Sequence, residues 1–192
     1  KIYTQFKGMV KGYNDIVDES KKISAINFNM ISSTGDMFEI VYYKKKSTGI
    51  FDRMSAEEIV KYKHKNSHCT ALIRINDDFS EMFIGHNTWD DYYTAVRILK
   101  TYEFNYNDDA KYSRRISFTS FPGKLSSTDD YYVTSNRLVV QETTNTPLKE
   151  EIFSQIKPNA YLNWVRTMIA NRLSTNAEEW INNFTEKNSG TY

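Results

Sequence analysis

At Cys69 the spacing of apolar residues changes period, and that change limits the possible folds more than any other feature of the chain. Upstream, Tyr3, Phe6, Val10 and Tyr13 fall near the spacing of a helix face, and the first 65 residues are expected to be mostly helical. Within them "MSAEEIV" carries a helix start, with Ser55 as N-cap, Glu58 closing a capping box and Met54 stapling onto Ile59. From Cys69 to Ile75 the residues alternate instead, Cys69, Ala71, Ile73 and Ile75 against Thr70, Leu72 and Arg74, which is a strand pattern. "NDD" at 76–78 supplies turn chemistry, and "EMFIGH" at 81–86 reads as the returning strand.

The rest of the chain continues this order. "TWDDYYTAVRILKTYEF" is expected to be a helix capped by Thr88, with Tyr92, Val96 and Leu99 on one face. "NYNDDAKYS" is a polar loop, and "RRISFTSFPG" is a strand broken by Pro122 and Gly123. "YYVTSNRLVVQETTN" is a hairpin turning at Ser135 and Asn136. Beyond Pro147 helical spacing returns. Tyr161, Trp164, Val165 and Met168 form one stripe, and Ala177, Trp180, Ile181 and Phe184 another, behind a Thr175–Glu178 capping box. Helices, then strands with one helix among them, then helices, argue for an α+β layered domain with its sheet packed against helices. No linker interrupts it, so we expect 1–192 to be a single partial domain, with 1–68 a helical segment upstream of a strand-bearing 69–192. The chain opens without Met and has no signal-like apolar region, which points to an excised part of something longer.

Composition removes several functions. With 25 Lys and Arg against 24 Asp and Glu, basic residues form only short clusters such as "YYKKK" at 42–46, so no nucleic-acid partner is expected. No run approaches the ~18 apolar residues of a membrane span. One cysteine excludes an internal disulfide framework and a cysteine-based zinc cluster. His64 and His68 lie four apart, but "HKNSHC" lacks the acidic partner of a metalloprotease helix, and no metal or cofactor is expected.

The one thiol therefore matters. If the hairpin turns about Asp77 and Asp78, His86 stands opposite Cys69 on the same face, about 5 Å away. Spacing leaves two readings open. Cys69 is a small buried apolar residue at a strand start, or a thiol whose thiolate fraction is raised by an imidazole.

"SHCTALIRI", "MFIGHNTWDDYYTAVRILKTYEF", "SFPGKLSSTDDYYVTSNRLVVQETTN" and "INNFTEKNSGTY" occur in order, and together they resemble the phospholipase B-like proteins, lysosomal or secreted members of the N-terminal-nucleophile hydrolase superfamily. The resemblance covers 67–192 and is only vague over the first 65 residues. It implies a partial αββα layered fold and autoproteolysis between His68 and Cys69, which makes Cys69 the N-terminal residue of a mature chain. Its new α-amino group, with an ordinary pKa of about 7.7–8.0, would then serve as base for its own thiol, and hydrolysis would pass through an acyl-enzyme.

The resemblance further implies that His86 faces the nucleophile and that Asn87 and Trp89 shape the substrate pocket. Thr144 contributes from a later strand end, with Thr143 pointing to the opposite face. Asp129 and Asp130 lie in a family-like motif, but paired acids before a strand are ordinarily solvated turn residues. The substrate implied is a lipid or small acyl amide, and the remaining partner is the rest of the same precursor chain, which holds further site residues. A lysosomal or secreted setting agrees with a glycosylation sequon at Asn183. The alternative is a non-catalytic lysosomal lipid- or glycan-binding protein on the same fold.

Overall fold

Helical spacing upstream folds as α1 (Ile2–Asn14), α2 (Ala25–Ser32), α3 (Thr34–Lys45) and α4 (Ala56–Lys65). The computed structural model describes residues 1–45, 51–65, 69–90, 92–105, 112–144 and 150–191. At the start of α4, Glu58 N–H donates to Ser55 Oγ at 3.3 Å and Ser55 N–H donates to the Glu58 carboxylate at 2.8 Å, the expected capping box.

The apolar face of α1 does not pack on its own segment alone. Phe6 lies against Trp164 with ring centroids 6.1 Å apart, and Tyr13 meets Phe28 edge-on at 5.5 Å. Phe6, Phe28, Leu125 and Trp164 form one buried cluster. Burying each of the two phenylalanines contributes about 1.5–3 kcal/mol. Trp164 belongs to α5 (Asn163–Leu173), which is followed by α6 (Ala177–Thr185). Upstream and downstream helices therefore share a core. The α6 cap sits one residue later than the expected Thr175–Glu178 box. Glu179 N–H donates to Asn176 Oδ1 at 2.9 Å, while the Glu179 carboxylate accepts from Thr175 N–H at 2.8 Å. Asn caps at least as well as Thr, and a Glu stands three residues after it.

Among the described residues, six strands form two antiparallel sheets. The hairpin β1 (Cys69–Ile75) and β2 (Met82–Thr88) stands as one sheet. The other is a meander of β3 (Ile98–Glu103), β4 (Arg115–Ser120), β5 (Tyr131–Thr134) and β6 (Val139–Gln141), in that order. Ile116, Phe118 and Tyr132 are its buried centre, with Tyr102 and Val140 packed against them. The β5–β6 turn falls where the sequence puts it. Arg137 N–H returns to the Thr134 carbonyl across Ser135 and Asn136, and Arg137 takes a left-handed φ of 62°. Gly123 ends the "FPG" break at φ 77°, a backbone that favours glycine. The architecture is a partial α+β layered fold.

The helix expected from Thr88 onward is absent. Thr88 ends β2, a 3₁₀ turn spans Tyr92–Ala95, and β3 begins at Ile98. Tyr92, Val96 and Leu99 do fit a helical stripe, but Val96, Ile98, Thr101 and Tyr102 are β-branched or aromatic, and pairing with β4 along all six residues of β3 decides the outcome. No helix among the described residues is long and apolar enough to cross a membrane.

Candidate active site around Cys69

The hairpin register differs from the expected one by two residues. Cys69 stands opposite Thr88, and His86 opposite Ala71. The loop explains the shift. Phe79 N–H closes a turn on the Asn76 carbonyl at 2.9 Å, and Asp78 accepts from both the N–H and the hydroxyl of Ser80 at 3.1 and 2.7 Å. These bonds hold Phe79 (φ 59°) and Ser80 in the loop rather than in β2. A shift of two preserves the face, so His86 still shares it with Cys69, now along the diagonal.

Thr88 fills the place expected for His86. The Cys69 thiol lies 3.9 Å from Thr88 Oγ1, and Thr88 Oγ1 lies 3.4 Å from His86 Nδ1. The same hydroxyl reaches the Asp129 carbonyl at 3.4 Å. On the far side of the ring, His86 Nε2 is 2.6 Å from the Glu142 carbonyl. A carbonyl only accepts, so Nε2 carries the proton, and in the neutral ring Nδ1 is left with its lone pair facing Thr88. Tyr131 stacks on the imidazole at 5.9 Å between centroids.

Burial pushes the Cys69 thiol up to about 11, and the negative charges of Glu142, Asp130 and Asp129 add to it, while the Thr88 hydrogen bond works against them. The thiol is 7% exposed and protonated at neutral and acidic pH. A thiol in this state would need a base in order to act as a nucleophile.

The chain after β6 closes the other side. Thr143, expected to face away, donates its hydroxyl to the Cys69 carbonyl at 3.0 Å. Thr144 lies half-buried beside it. Asp129 and Asp130, expected to be solvated, are both buried. The Asp129 carboxylate is paired with Arg97, which reaches it from the turn before β3. Asp130 takes a left-handed φ of 52° while its carbonyl accepts from Glu142 N–H at 3.0 Å. Behind them Lys124 is buried, donates to Thr34 Oγ1 at 3.2 Å, and is lowered by that burial to about 8, against the opposing pull of Asp130, Asp90 and Asp129.

Of the residues expected at the site, the fold brings Cys69 and His86 together and adds Thr88 and Thr143. Asn87 points to the opposite face of β2 and is exposed, as the alternation of a strand requires, and Trp89 is 47% exposed just beyond the strand. His68, and with it the proposed cleavage bond, lies outside the described residues. Asn183 is in α6, and its amide donates to Ser174 Oγ at 3.0 Å. Alternation could have revealed Thr88, since it follows His86 by two. Arg97 is 32 residues from its partner, and no local pattern announces it.

A family profile described as Phospholipase B matches residues 1–192, so the match includes the first 65 residues, where the motif resemblance is faint. Phospholipase B-like protein D of Dictyostelium discoideum is 36% identical over the whole of this chain and 34% of its own length. Phospholipase B-like protein A of the same organism is 35% identical over the whole chain and 36% of its own length. The human phospholipase B-like 1 is 29% identical, again over the whole chain and 34% of the relative. The chain spans about a third of the length of these curated relatives.

Proposed function

The chain belongs to the phospholipase B family, and from that premise we propose that it carries the nucleophile of a hydrolase that cleaves acyl ester or amide bonds in lipid-like substrates. The nucleophile is Cys69, made N-terminal by autoproteolysis between His68 and Cys69. The observation that carries this reading is the position of the thiol. It stands at the first residue of β1, one hydroxyl away from Nδ1 of His86. The bond to its carbonyl from Thr143 restrains the same residue's main chain.

Two chemical stages follow. In the uncut chain the Cys69 nitrogen is an amide and cannot act as a base. After the cut it is an amine that can accept the thiol proton, so nucleophile and base lie in one residue. Substrate acylates the sulfur and water releases the acid. Thr144, Asn87 and Trp89 would take part in shaping the pocket with residues from the remainder of the precursor. A lysosomal or secreted setting belongs to the same proposal. So does a glycan on Asn183, whose attachment requires the amide's bond to Ser174 to open.

The test is processing followed by turnover. The full-length precursor is expressed as wild type, Cys69→Ala and Cys69→Ser, and the fragments are sequenced from their N-termini. The expected result is a new N-terminus at Cys69 in the wild type and none in the Ala variant, with fatty-acid release from a lysophospholipid or acyl amide only by the cut protein. One observation favours the binding alternative: a buried thiol pushed up to about 11 is inert on its own. A wild-type chain that stays intact at acidic pH would decide for a non-catalytic lipid- or glycan-binding protein.

A further inference from the structure

The self-cleaving step lacks a base if Cys69 is considered alone, because the α-amino group that serves the mature enzyme does not yet exist. We infer that Thr88 is a relay hydroxyl through which His86 takes the thiol proton of Cys69 in the uncut chain, so that Thr88 and His86 power the cut while the α-amine serves the later turnover. The inference rests on the nucleophile reading of Cys69 given above.

Hydrogen-bond direction supports it. The Glu142 carbonyl fixes the proton on Nε2 and leaves Nδ1 as an acceptor. Thr88 then donates to Nδ1 and keeps lone pairs for the Cys69 S–H. When His86 gains a proton, Nδ1 becomes a donor and Thr88 must turn its own hydrogen elsewhere. The Asp129 carbonyl stands 3.4 Å away to accept it. The hydroxyl thus has a partner in both protonation states. The groups facing this pair are Asp129 and Asp130 from the loop before β5, Tyr131 stacked on the ring, and Glu142 after β6. Negative charge on the three acids opposes a thiolate. Their arrangement penalises a free thiolate, so the proton leaves as the sulfur attacks.

The step balances as follows. The thiol proton passes to Thr88 Oγ1 while the Thr88 proton passes to His86 Nδ1, and a sulfur lone pair forms a bond to the carbonyl carbon of residue 68. Collapse of the tetrahedral adduct breaks the carbon–nitrogen bond, and the proton on His86 goes to the leaving nitrogen of Cys69. Water then hydrolyses the thioester, freeing the carboxylate of residue 68 and the Cys69 thiol. Thr143 holds the Cys69 carbonyl throughout and is a positioning residue.

The experiment follows the appearance of the Cys69 N-terminus in the full-length precursor. Thr88→Val keeps the shape and removes the hydroxyl, and is expected to slow the cut by roughly 10²-fold. Thr88→Ser, which restores only the hydroxyl, is expected to stay within about tenfold of wild type. Because the two residues act in series, Thr88→Val with His86→Gln is expected to be no slower than the slower single variant. Thermal melts confirm that each variant is folded, and Thr88→Ala replaces Val if Val is not. A Val variant that cuts at the wild-type rate, a Ser variant as slow as Val, or a multiplicative double variant each overturns the relay and leaves the nucleophile reading intact. A wild type that produces no Cys69 N-terminus overturns both.

Discussion

The β1–β2 hairpin and the β3–β6 meander are both antiparallel and both rich in apolar residues, yet they are held in opposite ways. In the meander, alternate residues of β4 are buried, and Phe118 is 1% exposed between Tyr102 and Tyr132. In β1 only Cys69 is buried, and Ile73 is 60% exposed. Side-chain packing fixes the meander. The hairpin is fixed at one end by polar contacts through Thr88, His86 and Thr143 to the loop before β5 and the segment after β6. The proposed chemistry lies where polar bonds replace a core. Such a site is precise at its anchored end and costs little to disturb elsewhere.

Three measurements on the 1–192 chain break or sharpen this contrast. Denaturant unfolding of Phe118→Ala is expected to show a loss of about 3–5 kcal/mol, and Ile73→Ala a change within about 0.5 kcal/mol. Equal losses would mean that the hairpin is as well packed as the meander, and the contrast would fail.

Next comes the buried cation behind the junction. Lys124 is held at about 8 in the fold against an ordinary 10.5, so the unfolded chain binds more protons between those values. Wild-type stability is therefore expected to rise from about pH 8 to pH 10.5, as the unfolded lysine loses its charge. Lys124→Met removes that slope, with an advantage over wild type of about 3 kcal/mol at pH 7 that fades above pH 10.5. Parallel stability curves for the two proteins would show that Lys124 is not desolvated in solution.

The smallest effect concerns the anchor. Thr143→Val removes one hydrogen bond, about 1 kcal/mol, and is expected to speed amide exchange in β1 while leaving β4 protected. Uniform loss of protection across both sheets would join the two regions into one cooperative unit.

Much of the hairpin could be read from the residues, and the reason is parity. Alternation fixes which residues of one strand share a face, and the expected and observed registers differ by two, so Cys69 and His86 share a face in both. Register itself depends on how many residues the turn keeps, and the bonds from Asp78 to Ser80 set that number. Thr88 is ambiguous by chemistry. A threonine before "WDD" is a good helix cap and an equally good strand residue, and pairing with Cys69 settled it. The burial of Asp129 had no local signature, because the Arg97 that makes it tolerable comes from another element. Helices with strong periodic stripes, such as α1 and α6, were plain. The strand β3 was not, because its residues satisfy both periods.

The shared helical core has a mechanical consequence. Phe6 rests on Trp164, Gln5 Oε1 accepts from Arg172 at 2.8 Å, and the Asp36 carboxylate accepts from Asn163 N–H at 2.8 Å. These contacts tie the first helices to α5 without using the backbone that joins them to β1. A cut between the two segments would therefore leave them held together by these contacts, giving two bands on a denaturing gel and one peak on a sizing column.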